Sequence, residues 1–518
     1  MPEIQTSHSD IREFGATGDG ETRDTDAIQT ALDDCAESGG TVRVPPGEYL
    51  TGPLRVGDRT SLHVENGATL RFVKDHTAFP TVESRWEGWD QFGFHPCLFV
   101  DNASSVEITG RGVIDGSGEH WWQYRDLPRS AYPDDLEERV EEFDKRNELR
   151  DGVSSFTLRP PLLQIYDSEN VSVSGVTLRN SPFWNTHVVY SEDVTITDVR
   201  IVNPADAPNG DGIDIDSSRN VRVSDTFINA GDDAICLKSG KDEQGRAVGE
   251  PAENITITNC TVKHGHGGVV IGSETAGDVR NVTVSNCTFT DTDRGIRIKS
   301  QRGRGGVVED LRFDTIVMRQ VACPFVINGY YFTPIDSDPE PIDEGTPMVR
   351  NVHFHNISAR DVESAGFFAG LPERRFEGIT FDDVHIDATR SLEATDLDPA
   401  MAYDYDQRHG FFCKSMRDVS FTDVRLRVPD DPALRFEETN LVSIDGLEVE
   451  RAGATDGPLI ELDNVEETRV RGCSPPPEDR RFLEVAGPAS RRLSLVGNYG
   501  DLRETIDIGT ECDAVVFE

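Results

Sequence analysis

Asn254-Ile255-Thr256-Ile257-Thr258-Asn259-Cys260-Thr261-Val262 is followed 27 residues later by Asn281-Val282-Thr283-Val284-Ser285-Asn286-Cys287-Thr288-Phe289. Each copy is a polar residue, an apolar-x-apolar strand, two polar positions and a second apolar-x-apolar strand. The phrase also opens at Asn170, Asp193, Asn220, Asp310, Asn351, Gly378 and Asp418; from Asn170 onward the offsets are 23, 27, 34, 27, 29, 41, 27 and 40 residues. A base period in the twenties with insertions is what a coil of short strands gives, because each turn buries only its inward residues and relies on its neighbours for backbone pairing. A sandwich or barrel also has many short strands, but neither predicts one phrase at this spacing. The expected fold is therefore all-β, a single right-handed parallel β-helix over residues 1–518.

The phrase divides that span. Residues from about 11 to 80 read as a cap and first coils, about 100 to 435 as the central coils, and about 436 to 518, where the phrase weakens, as further coils and a closing cap. A helix is expected from Thr25 to Glu37, with Asp24 or Thr25 as its cap, Ala27, Ile28, Ala31, Leu32 and Cys35 on one face, and Gly39-Gly40 as its stop. A helix there would cover a first rung that otherwise exposes unpaired backbone. Three stretches break the rhythm and read as excursions: 117–160, with a helical segment from Asp134 to Arg150, then 332–349 and 391–410. Pro475-Pro476-Pro477 reads as a turn.

Acidic residues number 94 against 51 basic ones, for a net charge of −43, and the basic set is 7 Lys and 44 Arg. Such a chain repels itself in dilute buffer. In about 1 M salt the screening length falls to about 3 Å and the repulsion fades, so the composition suggests adaptation to concentrated salt. A need for solubility, or a GC-rich genome, would give part of the same pattern. The charge excludes nucleic acid and anionic membrane as partners. Nine Cys at irregular spacing, without a Cys-x-x-Cys pair, argue against a metal cage or disulfide framework. Neither a metal nor a cofactor is expected. Met1-Pro2-Glu3-Ile4 has no basic or apolar leader, so a cytoplasmic location is expected, or secretion if a signal has been trimmed.

Four short motifs accompany the central coils: Asn209-Gly210-Asp211, Gly231-Asp232-Asp233, Gly265-His266-Gly267 and Arg297-Ile298-Lys299. Coils lie about 4.8 Å apart, so groups one repeat apart on a shared face fall within roughly 15 Å, a few sugar rings. With Ile296 and Ile298 inward, Arg297 and Lys299 point outward; Ile213 and Ile215 likewise leave Asp214 and Asp216 outside. One exposed row would then carry three carboxylates, an imidazole and two cations. Cleaving a glycosidic bond takes one carboxylic acid and one carboxylate, and packed carboxylates raise one another's proton affinity. A single Asp here would more simply cap a turn, and cations can cluster on any solvated face. The combination, with four of the seven Lys between residues 238 and 299, points instead to hydrolysis of an acidic sugar polymer.

These four motifs, in this order, resemble those of glycoside hydrolase family 28, the polygalacturonases, over residues 14 to about 335. Ser181-Pro182-Phe183-Trp184-Asn185 and Gly268-Val269-Val270-Ile271-Gly272-Ser273-Glu274 are most similar to its bacterial exo-acting branch. The resemblance implies an inverting, metal-independent hydrolase of α-1,4-linked galacturonate, with Asp232 as general acid and Asp211 and Asp233 activating water. It implies that His266 tunes the acid and that Arg297 and Lys299 bind the sugar carboxylate. Tyr331, with Tyr330 beside it, Asn209 and His187 would contact substrate. Gly210, Gly231 and Ala234 depart from the commoner Thr, Gln and Cys. Alternatives are a lyase on the same fold, a rhamnogalacturonan or xylogalacturonan hydrolase of the same family, and a non-catalytic carbohydrate-binding β-helix.

Overall fold

The computed structural model describes residues 7–147, 159–335, 338–391, 408–430, 432–453, 457–474, 481–499, 505–510 and 512–517. They form two compact units, residues 1–240 with 250–266 and residues 241–249 with 267–518.

In the first unit the chain winds as a parallel β-helix, pairing each strand with its counterparts one turn before and one turn after. One ladder stacks Leu98–Asp101, Leu163–Tyr166, Thr186–Val189, Ile213–Asp216 and Asp233–Lys238. Its register aligns Val100, Ile165, Val188, Ile215 and Leu237 in one fully buried inward file. The intervening positions, Phe99, Gln164, His187, Asp214 and Cys236, make the opposite file. Two further ladders align Ile108, Val173, Ile196, Val223 and Ile257, and Ile114, Leu178, Ile201, Ile228 and Val262. The core is thus three stacked files of branched aliphatics.

The polar opener of the phrase has a backbone cause. Asn170, Asp193, Asn220, Asn254, Asn281, Asp310, Asn351, Gly378 and Asp418 all have φ between 55° and 69°. That left-handed corner costs most side chains about 1–2 kcal/mol, and Gly, Asn and Asp least.

The N-terminal helix runs Thr25–Ser38 and buries Ile28, Ala31, Leu32 and Cys35. Asp24 sits at its N-cap position, but its carboxylate accepts instead from Thr17 N at 2.8 Å and Gly18 N at 3.1 Å, tying the turn-rich opening to the helix. Thr25 Oγ1 accepts from Gly52 N at 2.6 Å. Two elements then leave the coil. Thr81–Trp86 and Trp89–Phe94 form an antiparallel hairpin, turning through Glu87 and Gly88, both at positive φ as a two-residue turn requires. The helix Asp134–Arg146 buries Leu136, Val140 and Phe143. Phe143 meets Phe94 of the hairpin edge-on at 5.0 Å, and Asn147 bonds both backbone groups of Phe92. Residues 148–158, the end of this expected excursion, lie outside the described ones, as do 392–407 of the acidic one and the Pro475–Pro477 turn.

The second unit repeats the winding with an aromatic file. Phe313, Phe354, Phe381 and Phe421 are in register and stack at centroid distances of 5.3, 4.8 and 4.9 Å. Such pairs contribute about 0.5–1.5 kcal/mol each beyond their buried area. A second ladder runs from Thr292–Lys299 through Cys323–Asn328, Gly366–Ala369, Phe411–Lys414, Leu434–Glu437 and Ile460–Asp463 to Leu483–Ala486. No helix among the described residues is long and apolar enough to cross a membrane.

Candidate active site

Asp211 and Asp233 are brought together by two adjacent turns of the first unit, stitched by Gly212 N to Asp233 O at 2.9 Å and Gly231 N to Gly210 O at 3.0 Å. The turns approach so closely that a Cβ on Gly231 would lie 2.3 Å from the Ala207 carbonyl, which accounts for glycine there. Ligand atoms of Asp211, Asp233 and Cys236 all fall within 4.8 Å of one another. Asp232, the neighbour of Asp233, has its side chain 22% exposed, whereas Asp233 is buried. Its Oδ1 accepts from Asp233 N at 2.9 Å and lies 3.0 Å from His266 Nδ1. His266 is fixed further by its own N–H, which donates to Asp232 O at 2.8 Å.

In the first unit the expected carboxylates and imidazole come together, but not as an exposed row. Asp211 and Asp233 are buried, and only Asp232 and His266 open to solvent. Burial, then the charges of Asp214 and Asp232, hold the Asp211 carboxyl well above the usual carboxylate range, with Lys238 opposing. The stability linkage follows in sign. A carboxyl whose folded pKa lies above its unfolded value contributes fully below the ordinary Asp range, about 3.9, and that contribution is lost as pH rises through the folded pKa. Asn does not titrate. Asp211→Asn should melt with wild type near pH 4 and progressively above it as pH rises, by about 1.4 kcal/mol for each pH unit in that window. Thermal melts across pH measure this; a pH-independent difference would contradict it.

Asp214 and Asp216, expected outside, are both fully buried. Lys238 Nζ lies 3.6 Å from Asp214 Oδ1 and 4.6 Å from the centre of the Trp184 ring. Arg85 of the hairpin reaches Asp216 at 3.2 Å and donates to Ser217 Oγ at 2.9 Å. Trp86 stacks on Phe183 at 3.7 Å, and Ser84 donates to Gln164 Oε1 at 2.8 Å. His187 is also fully buried, 3.0 Å from Gln164 and 3.7 Å from Asp216, and burial lowers its pKa. Asn209 Oδ1 accepts from the buried Arg159 at 2.7 Å.

In the second unit Arg297 and Lys299 lie side by side over Tyr331, each 5.4 Å from its ring centre. Tyr331 is held by its N–H to Ser300 O at 3.0 Å, while Tyr330 is buried in an apolar cluster. Arg297 is 2% exposed, and its Nε and Nη2 have no hydrogen-bond partner among the described residues. The other cations of this stretch are engaged: Arg302 with Glu373 through two bonds of 2.7 and 2.8 Å, Arg304 with Asp242, Arg294 with Asp293.

Sequence reasoning did not single out Lys238, Arg159 and Cys236 beside the residues of the first unit's cluster. Cys236 had a readable signal: with Ile235 and Leu237 inward, alternation turns its thiol toward the carboxylates.

The family model described as Glycosyl hydrolases family 28 matches residues 151–398, and one described as rhamnogalacturonase A/epimerase, pectate lyase-like, matches residues 9–62. The chain is 31% identical over 385 residues to a Vitis vinifera protein named "Probable polygalacturonase", covering 72% of this chain and 73% of the relative. It is 34% identical over 322 residues to the endo-polygalacturonase of Pectobacterium carotovorum, covering 59% of this chain and 72% of the relative. Among solved structures it is similar to the hyperthermoactive exopolygalacturonase of Thermotoga maritima, with 31% identity, a TM-score of 0.66, and coverage of 74% of this chain and 88% of that one.

Proposed function

This chain belongs to family 28 of the glycosyl hydrolases and is a glycosidase, and on that premise we propose that it hydrolyses α-1,4-linked galacturonate by an inverting, metal-independent mechanism, acting from chain ends. The observation that carries this reading is the contrast within one cluster: two buried carboxylates, Asp211 and Asp233, beside a third, Asp232, that is open to solvent and bonded to His266. Inversion needs an acid on one side of the sugar and a carboxylate with its water on the other. Asp232 gives its proton to the leaving oxygen, and His266 holds it in place. Asp211 and Asp233 together orient a water and take its proton. Arg297, with open donors in a buried setting, and Lys299 bind the galacturonate carboxylate against Tyr331, since a guanidinium suits a planar carboxylate. Asn209 shapes the sugar-binding floor, whereas His187, fully buried, does not contact the sugar and only supports the strand beneath it.

Action from chain ends is supported by the hairpin of residues 81–94, which packs on Gln164, Phe183 and Asp216 and so adds bulk on the outward side of the first unit. The acidic surface favours work in concentrated salt, where its repulsion is screened.

Proton NMR of the first products from polygalacturonate in molar salt should show the inverted anomer, with monomer or dimer as the main product and activity unchanged by EDTA. Initial retention of configuration would reject single displacement. Unsaturated, ultraviolet-absorbing products abolished by chelation would identify a lyase instead.

A further inference from the structure

Cys236 stands apart from the other buried thiols because it shares a site with carboxylates. Register places it opposite Asp214 in the outward file, and its Sγ lies 3.9 Å from Asp233 Oδ2. One ligand atom each from Asp211, Asp233 and Cys236 falls within a 4.8 Å span. A tetrahedral zinc with ligand distances of about 2.0–2.3 Å requires donors about 3.3–3.8 Å apart, so side-chain rotations that bring the donors about 1 Å closer would close the set. A second feature points the same way: Asp211 is 3% exposed, and its Oδ1 is buried without a hydrogen-bond partner among the described residues.

The donors select the class of ion. Calcium takes six to eight oxygens and magnesium a near-octahedral oxygen shell, which two carboxylates and a sulfur do not offer. Thiolate with carboxylate suits a softer divalent ion. We propose that Asp211, Asp233 and Cys236 form a binding site for a thiophilic divalent cation, Zn²⁺ or Cd²⁺, whose occupancy blocks hydrolysis. The block rests on the reading of Asp211 and Asp233 as the water-activating pair; the binding does not. The ion replaces the water between them and neutralises the charge that would accept its proton. Binding forms metal–sulfur and metal–oxygen bonds and releases to solvent the Cys236 thiol proton and any proton held by Asp211, without a redox step.

Anaerobic titration of the full-length protein with Co²⁺ should produce a thiolate-to-metal absorption band in wild type. The same band should appear in Asp232→Asn, which keeps all three ligands, and be missing from Cys236→Ala and Cys236→Ser. Activity should be close to wild type in Cys236→Ala without metal, while the Zn²⁺ concentration for half-inhibition rises more than about tenfold, the loss typical of even an outer-shell change at a metal site. A Co²⁺ spectrum without a thiolate band, or equal Zn²⁺ inhibition of wild type and both folded Cys236 variants, would overturn the site. If the band is present but wild type does not cleave polygalacturonate, the catalytic reading fails and the metal site stands.

Discussion

Asp232→Asn is expected to lower kcat/KM on polygalacturonate by about 10²–10⁴-fold, the range for loss of a positioned general acid, with circular dichroism and melting close to wild type. The side chain can be exchanged cheaply because it is not part of the core. It is partly exposed, and its bonds are to Asp233 N and His266 rather than to an apolar neighbour. An amide oxygen can still accept from both. What the amide lacks is a transferable proton. Proton transfer matters most with a poor leaving group, so an activated aryl galacturonide should recover much of the lost rate. The alkaline limb of the pH profile, which reports the acid in its protonated form, should vanish in the variant. Turnover of polygalacturonate within a few-fold of wild type would remove Asp232 from the role of acid. The same loss on the activated substrate as on the polymer would show that the substitution disturbed the site rather than its proton.

The fold was legible because the coil writes its own period into the chain. Each turn needs an inward apolar pair, and each corner needs a residue that tolerates the left-handed region. Asn254 and Asn281 mark that corner at φ 57° and 56°, Gly378 at 69°, so polar openers and alternating aliphatics recur together. The same alternation told which way Asp214, Asp216, Arg297 and Lys299 point. It could not tell what lies over them. Burial of Asp216 comes from Arg85, 131 residues earlier in the sequence, on a hairpin whose Glu87-Gly88 turn is not one of the favoured Asn-Gly or Asp-Gly pairs. Periodicity carries information about a residue's own strand and its neighbours one turn away. A cover contributed by an insertion leaves no mark on that period.

The site shows the same division. Spacing sufficed to bring Asp211, Asp232, Asp233 and His266 onto neighbouring turns. It did not say which carboxyl would have its pKa raised, because that depends on burial and on Asp214 and Lys238, neither of which belongs to a motif. Nor did it separate Arg297, whose Nε and Nη2 have no hydrogen-bond partner among the described residues, from Arg294, Arg302 and Arg304. That distinction requires knowing that the last three meet Asp293, Glu373 and Asp242.

The largest expected effect on stability lies at that unread contact. Arg85→Ala should destabilise the protein by about 3–5 kcal/mol, the cost of removing one partner of a buried ion pair. Arg85 and Asp216 have side-chain exposures of 1% and 0%, and the guanidinium also donates to Ser217 Oγ and lies 4.8 Å from the Tyr190 ring centre. The substitution takes this guanidinium from Asp216, beside which Ser217, at 3.3 Å, and His187, at 3.7 Å, remain. Arg85→Met with Asp216→Asn should be far less damaging, because the double change removes both charges and retains the volume. Urea unfolding in molar salt separates the two, since a buried pair is poorly screened and its loss survives high ionic strength. A single variant within about 1 kcal/mol of wild type would mean that the pair is balanced by its own desolvation. The contact also bears on function. Arg85, Trp86 and Ser84 fasten the hairpin over the outward file, so loosening it should lengthen the products released from polygalacturonate before it unfolds the coil. An unchanged product profile in the folded fraction of Arg85→Ala would mean that the hairpin does not set the end of the groove.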